Sequence, residues 1–211
     1  MPLSRRALLL TGVAAGGGLG LWYGANRLDD GDATTKFGAT TPDLSPLNAW
    51  IKIGADGRIV CGVHRTEMGQ GISTSLPMML AEELDADWDQ VSFEFTPSDR
   101  DYFNFGMLEN GRPLGSTENS LVAAAGTAVI RRVFHAIGMS LTISSSSIID
   151  AWDTLRPAGA AARALLGGAA AKRWQVSSDG LRTHSRRVIN PASGESLGYG
   201  ELAAEAAAGS P

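Results

Sequence analysis

The sequence predicts an α+β fold, α/β-like in its alternation, with a mixed sheet and helices packed on it. Three observations point there. Residues 50–63 and 91–95 alternate apolar and polar side chains as strands do, and residues 74–84 carry apolar side chains at helical spacing. Helical and extended runs then interleave to the end of the chain. The composition agrees with a folded protein, since 44% of the 211 residues are hydrophobic and 19% charged, which excludes pervasive disorder. The net charge is −4, from 18 basic and 22 acidic residues. No global basic field surrounds such a chain, and no nucleic acid partner is expected. The single cysteine, Cys61, rules out an intramolecular disulfide and any all-cysteine cluster, and His64, His135 and His184 are too scattered for a zinc site.

Residues 1–27 read as an address. Arg5 and Arg6 precede an apolar stretch from Ala7 to Trp22, an arrangement that resembles the twin-arginine export signal of bacteria. The stretch is shorter than the ~20 residues that cross a bilayer. Gly12, Gly16, Gly17, Gly18 and Gly20 would also weaken it as a buried helix, by roughly 1 kcal/mol each. A periplasmic destination is expected. No small-x-small cleavage site stands near Gly24-Ala25, so a form tethered to the inner membrane stays open as an alternative. Residues 28–46, rich in Asp, Thr, Gly and Pro without apolar period, read as a linker, and residues 47–211 as the folded domain.

Within that domain, Trp50-Ile51-Lys52-Ile53 and Arg58-Ile59-Val60-Cys61-Gly62-Val63 flank Asp56-Gly57, the pattern of a hairpin. Leu76, Met79, Leu80 and Leu84 make a helix over 74–84, with Glu82 and Glu83 facing out and Pro77 admissible only in the first turn. Val91, Phe93 and Phe95 give a strand with one buried face. Residues 99–115 read as an extended loop and 120–139 as a helix built on Leu121, Ala124, Ala128, Val129 and Val133. After a serine run at 144–147 comes a long helix over 153–174, interrupted at Gly167-Gly168. A strand at 174–176, a turn at Asp179-Gly180, a strand at Val188-Ile189, a turn at 191–194 and a helix from Tyr199 complete the chain.

Chemistry concentrates in two places. His64-Arg65-Thr66-Glu67-Met68-Gly69-Gln70-Gly71-Ile72-Ser73-Thr74 joins a strand to a helix; glycines on either side of Gln70 let backbone approach a ligand, and amides at the helix start can meet an anion. Gln70 carries both a donor and an acceptor, suited to a polar heterocycle or an oxo group. Ser144-Ser145-Ser146-Ser147, ahead of a helix, offers hydroxyls and amides to a phosphate, or simply caps the helix. Elsewhere the bland readings are preferred. Glu67 reads as a solvated carboxylate at a turn, Cys61 as a small buried hydrophobe, and His64 as a neighbour of a site or a surface residue. Arg131, Arg132, Arg186 and Arg187 read as exposed basic pairs.

These segments resemble a known family. Thr66-Glu67-Met68-Gly69-Gln70-Gly71 with Thr74 is similar to the glycine-glutamine-glycine segment in the molybdopterin-binding large subunit of the molybdenum hydroxylases, the xanthine dehydrogenase and aldehyde oxidase family. The serine run with Ile148-Ile149-Asp150-Ala151-Trp152 and Arg156-Pro157-Ala158-Gly159 resembles its serine-rich cofactor loop. Asp179-Gly180-Leu181, Asn190-Pro191-Ala192-Ser193-Gly194 and Tyr199-Gly200-Glu201-Leu202-Ala203 resemble the hairpin and helix that follow. The branch most resembled contains isoquinoline 1-oxidoreductase and membrane-associated aldehyde dehydrogenases.

The resemblance implies a partial molybdopterin-binding domain and a molybdopterin cofactor, in dinucleotide form, with molybdenum. Met68, Gly69, Gln70 and Gly71 would approach its metal end, and Ser145 and Ser147 its phosphate or pterin. It implies hydroxylation of an aldehyde or N-heterocycle, with iron-sulfur clusters on a small partner subunit, since Cys61 alone cannot ligate one. No catalytic residue and no protein ligand to a metal is assigned, because the catalytic glutamate belongs to a part of the subunit without counterpart here. The chain is therefore expected to be inactive alone. The competing reading is a truncated or split-gene piece that acts structurally, beside a companion chain carrying the remainder of the large subunit.

Overall fold

The computed structural model describes residues 33–41, 43–97, 99–106, 135, 138 and 140–209. Helix α1 (Ala33–Thr40) leads into β1 (Leu44–Asn48), β2 (Ile51–Gly54) and β3 (Ile59–Val63). Helix α2 (Ile72–Leu84) then crosses to β4 (Val91–Phe95). The four strands form one sheet in the order β1-β2-β3-β4, antiparallel except for the parallel pair β3 and β4, a pairing that requires a crossover such as α2. The 28-residue α3 (Ser147–Trp174) follows. A small antiparallel sheet of β5 (Arg182–His184), β6 (Arg187–Ile189) and β7 (Ser196–Gly198), then α4 (Tyr199–Ala208), complete an α+β arrangement.

The larger of two hydrophobic clusters holds the four-stranded sheet, α2, α3 and α4 together. Ile51, Ile53, Ile59, Cys61 and Val63 of the sheet meet Leu76, Leu80 and Leu84 of α2, Leu155, Ala162 and Leu166 of α3, and Tyr199 and Leu202 of α4. The Tyr199 hydroxyl donates to the Leu84 carbonyl at 2.6 Å and ties α4 to the end of α2. The hairpin expected around Asp56-Gly57 is β2 and β3, in register Ile51 to Cys61 and Ile53 to Ile59.

Several expectations are corrected. Residues 33–48, read as linker as far as 46, form α1 and β1. Only Ala33 and Phe37 of α1 are buried apolar side chains, too few to leave a period in the sequence. Ala33 packs with Ala49 and Tyr102, and a polar contact completes the anchor of α1: Lys52, wholly buried on β2, lies 4.2 Å from the Phe37 ring centre, donates to the Phe37 carbonyl at 3.1 Å and pairs with Glu94 of β4. Thr41 Oγ1 donates to the same carboxylate at 2.7 Å.

Strand β4 exists where expected, yet Phe93 and Phe95 are 44% and 54% exposed and meet each other edge-on. Among the described residues, only Val91 of that row packs on the core. Helix α2 begins earlier than expected, which puts Pro77 in its second turn, where the ring removes the amide that would bond the Ser73 carbonyl. Gly167-Gly168 do not interrupt α3; Leu166, Ala169 and Ala170 are buried around them, and that packing outweighs a propensity cost of about 1 kcal/mol per glycine. The strand expected over 174–176 is instead the end of α3, with Gln175 left-handed at φ 55° as its cap. The helix expected over 120–139 lies outside the described residues except at His135 and Gly138, and the loop over 99–115 is described only as far as Gly106, with a 3-10 turn at Arg100–Tyr102.

Candidate functional site

The site begins where β3 runs out. His64 and Arg65 stay buried after Val63, and the chain then turns through Thr66-Glu67-Met68-Gly69-Gln70-Gly71 into α2. Gly69 and Gly71 have φ of 92° and 82°, a left-handed region that costs other residues about 1–2 kcal/mol. A side chain at either position would meet nothing within 4 Å, so the turn is open at both glycines.

Gly71 caps α2 without a side chain of its own, and Glu67 serves instead. Its Oε1 accepts from the amides of Gly69 at 2.7 Å and Gly71 at 3.1 Å. Its Oε2 accepts from the Ser73 amide at 2.9 Å and the Ser73 hydroxyl at 2.7 Å. The Ser73 amide, then its hydroxyl and the Gly71 amide, hold the Glu67 carboxyl at about 2, below the ordinary carboxylate range. Glu67 is therefore an organised ligand of its own turn rather than a solvated carboxylate. Gln70, though exposed, folds back on its own turn: its Nε2 donates to the Thr66 carbonyl at 2.8 Å, and its Oε1 accepts from the Met68 amide. Met68 projects outward, 67% exposed.

The second half of the site is the entry to α3. Ser144 and Ser145 are both left-handed, at φ 56° and 53°, and reverse the chain before the helix. Ser146 occupies the cap position, but its hydroxyl donates to the Ile143 carbonyl at 2.7 Å and accepts from Asn104 Nδ2 at 2.9 Å, so it does not cap the helix. The first turn of α3 thus keeps the partial positive charge of a helix start without a side-chain cap. Ser145 is exposed and Ser147 half-buried.

Arg65 joins the two halves. Its guanidinium donates to the carbonyls of His64 and Tyr102, each at 2.7 Å, and of Phe103 at 3.1 Å, and it pairs with the Asp150 carboxylate in the first turn of α3. Asp150 also accepts from the amides of Phe105 and Gly106, both at 2.8 Å. Burial lowers the Arg65 pKa, and the charge of Asp150 and its hydrogen bond oppose that shift. Beside the pair, the Thr66 amide donates to Thr142 Oγ1 at 2.9 Å. Met68, Gly69, Gln70 and Gly71 thus lie on one turn, Ser145 and Ser147 at one helix start, and this network sets turn and helix start side by side.

Arg65 and Asp150 were not foreseen as site residues, nor was the role of Glu67. The pair is separated by 85 positions, and neither member carries a pattern that announces the other. His64 is buried against Trp50 and Tyr102, at ring separations of 6.3 and 6.0 Å, so it lies under the site rather than at the surface. Burial, with the Arg65 charge beside it, holds its pKa well below the usual histidine value. A cleft of about 390 Å³ opens at the carboxyl ends of β3 and β4, bordered by His64, Arg65, Thr66, Phe95 and Tyr102. Cys61 is fully buried in β3, as expected, and burial pushes its thiol up to about 12. Arg186, read as exposed, is half-buried and donates to the Gly57 carbonyl at 2.9 Å. Among the described residues no group of three or more His, Cys, Asp or Glu side chains could hold a metal ion, and no helix is long and apolar enough to cross a membrane.

Known proteins share this chain's features. A family model described as a molybdopterin cofactor-binding domain matches residues 30–137, which include the glycine-glutamine-glycine turn. The chain is 34% identical over 177 residues to the isoquinoline 1-oxidoreductase subunit beta of Brevundimonas diminuta, a match covering 83% of this chain and 18% of that protein. It is 27% identical over 205 residues to the membrane-bound aldehyde dehydrogenase (pyrroloquinoline-quinone) of Gluconacetobacter polyoxogenes, covering 96% of this chain and 21% of that one. The chain spans about a fifth of the length of these curated relatives. Among solved structures, quinoline 2-oxidoreductase from Pseudomonas putida 86 aligns with a TM-score of 0.46 and 13% identity, over 73% of this chain and 15% of that one.

Proposed function

This chain belongs to the molybdopterin cofactor-binding domain family of the molybdenum hydroxylases, and from that premise we propose that it holds part of the cofactor of an enzyme that hydroxylates an aldehyde or an N-heterocycle. When bound, the molybdenum centre supplies the two-electron oxidation, with water as the source of oxygen; the protein supplies binding and orientation. The observation that carries this reading is the Arg65–Asp150 pair, which sets the glycine-glutamine-glycine turn beside the start of α3.

The residues fit the group. Met68, Gly69, Gln70 and Gly71 offer an open backbone face that a planar pterin could approach, with Gln70 supplying a donor and an acceptor once it leaves Thr66 and Met68. Ser145 and Ser147 stand at a helix start without a side-chain cap, which suits the phosphate of a dinucleotide form. Iron-sulfur clusters would reside on a small partner subunit, and the chain by itself would not turn over substrate. Residues 1–27 would direct export to the periplasm, and the form tethered to the inner membrane remains the alternative.

A second reading is favoured by the exposure of Phe93, Phe95, Met68 and Trp152: a structural piece that docks on a companion chain carrying the remainder of a large subunit. Tagged protein expressed at native level separates the two. The cofactor reading expects molybdenum and pterin to copurify and to fall several-fold in Gln70→Ala and Ser147→Ala. A companion chain copurifying without molybdenum would support the second reading and overturn the first.

A further inference from the structure

A second cleft, of about 280 Å³, shares no residue with the glycine-glutamine-glycine turn or the serine run. It is bordered by Asp56-Gly57 of the β2–β3 turn, by Ser185-Arg186-Arg187 at the β5–β6 turn and by Gly198 and Glu201 at the start of α4. Ser185 and Arg186 close the β5–β6 hairpin with both residues left-handed, at φ 44° and 62°. Asn and Gly usually fill such turns, because a Cβ is strained there. An arginine at this position therefore goes against local preference, as residues kept for their side chains do. Its main chain is locked from two sides: the Arg186 amide donates to the Asp85 carbonyl at 3.0 Å, and its carbonyl accepts from the Tyr199 amide at 2.9 Å.

The Arg186 side chain is only partly used. Nη1 donates to the Gly57 carbonyl at 2.9 Å, whereas Nε is buried and has no hydrogen-bond partner among the described residues. Nε and Nη2 form the edge of a guanidinium that takes two oxygens of one carboxylate or phosphate side by side. On Arg187 that edge is in use, with Nε donating to Ser196 Oγ at 3.0 Å and Nη2 to the Ser196 carbonyl at 3.1 Å. The carboxylates of the cleft are committed elsewhere. Glu201 Oε1 accepts from the Gly198 amide at 2.8 Å, Asp56 Oδ1 accepts from the Arg58 amide at 3.1 Å, and Asp56 Oδ2 lies 3.6 Å from Arg58 Nε. Two adjacent cations thus border the cleft, and neither guanidinium has a carboxylate partner among the described residues.

We propose that this cleft binds an oxyanion, a phosphate or carboxylate group seated on the Nε–Nη2 edge of Arg186, with Arg187 adding its charge. The site is independent of the cofactor reading. A free phosphate and a carboxylate on a docked chain share this chemistry, so both are represented in the test.

Inorganic phosphate and acetate are titrated into the full 211-residue chain, with the Arg186 side-chain Nε–H resonance and the amides of Gly57 and Gly198 as readout. In the parent protein at least one anion should shift all three saturably, and less strongly as chloride is raised. A response to phosphate alone assigns the site to a phosphate group, and an equal response to acetate to a carboxylate. Arg186→Gln should abolish the shifts at Gly57 and Gly198, and Arg187→Gln should weaken them several-fold. Arg58→Gln, which removes a cation outside the cleft, should leave them at parental strength. If Arg186→Gln does not fold once Gly57 loses its donor, Arg187→Gln, whose side chain is exposed, carries the comparison. A parent protein that responds to neither anion would overturn the proposal. So would an Arg58→Gln loss as large as that of Arg187→Gln, since the shifts would then report general surface charge.

Discussion

Arg65 and Asp150 form an ion pair whose side chains are 0% and 11% exposed, and it fastens the turn after β3 to the first turn of α3. The two residues carry opposite charges out of water, a cost that only their mutual attraction and their additional hydrogen bonds offset. The arrangement supplies most of those bonds, three carbonyls on the Arg65 side and two amides on the Asp150 side, while the buried Arg65 Nε has no hydrogen-bond partner among the described residues.

Removing one partner should therefore hurt more than losing a hydrogen bond. Arg65→Ala or Asp150→Ala is expected to destabilise the domain by roughly 3–5 kcal/mol, since each leaves the other charge buried and unpaired. Urea denaturation of the two variants and of Arg65→Met/Asp150→Leu checks this. The double variant should recover part of the loss, and single variants at parental stability would contradict the account.

The stability of the domain should fall in mild acid through His64. Its imidazole titrates near 6.5 in the unfolded chain and well below that when folded, because burial and the adjacent Arg65 disfavour the charged ring. Between those two values the unfolded chain binds more protons, so stability declines as pH drops below about 6.5 and is level above it, with a slope of at most about 1.4 kcal/mol per pH unit from this residue. His64→Phe, which keeps a ring against Trp50 and Tyr102, should flatten the urea midpoint over that window. An unchanged slope would assign it to other groups.

Two glycine substitutions should have opposite signs. A side chain at Gly200, in the first turn of α4, would lie 2.5 Å from the Ala55 carbonyl oxygen and 2.6 Å from the Gly57 amide nitrogen, both backbone atoms of the hairpin turn. Gly200→Ala is expected to cost about 1–3 kcal/mol. Gly167 lies within α3 with nothing within 4 Å of that position, so Gly167→Ala should stabilise by about 0.5–1 kcal/mol through helix propensity. Thermal unfolding of the two variants reads both signs.

Cys61 should be chemically silent in the native state. Burial pushes its thiol up to about 12, and no part of it is exposed, so little thiolate forms and reagent has no access. Ellman's reagent at pH 8 is expected to react only after unfolding in guanidinium. Prompt reaction in native buffer would contradict the burial of β3.

Much of the architecture is legible along the chain, because it depends on near neighbours. The hairpin around Asp56-Gly57, the helix carrying Leu76, Leu80 and Leu84, the buried Cys61 and the helix from Tyr199 each declare themselves by alternation, helical spacing or turn chemistry. The glycine-glutamine-glycine turn and the serine run are visible for the same reason, since each is a local string with a recognisable resemblance. Helix α1 leaves no period in the sequence because only Ala33 and Phe37 are buried, and a buried lysine on β2 completes its anchor. The exposure of Phe93 and Phe95 is equally invisible in sequence, because alternation states that a strand has two faces and not which of them is covered.

The sequence by itself determined the hairpin around Asp56-Gly57, the helices carrying Leu76 and Tyr199, the family resemblance and the residue types of the glycine-glutamine-glycine turn and the serine run. Only the tertiary structure decided that Glu67 accepts from the amides of its own turn, that Gln70 folds back on that turn, and that Arg65 reaches Asp150 across 85 positions to bring the segments together. The physical reason is range. Propensity and periodicity act over a few residues, whereas a buried charge must find its counterpart wherever the packed chain provides one.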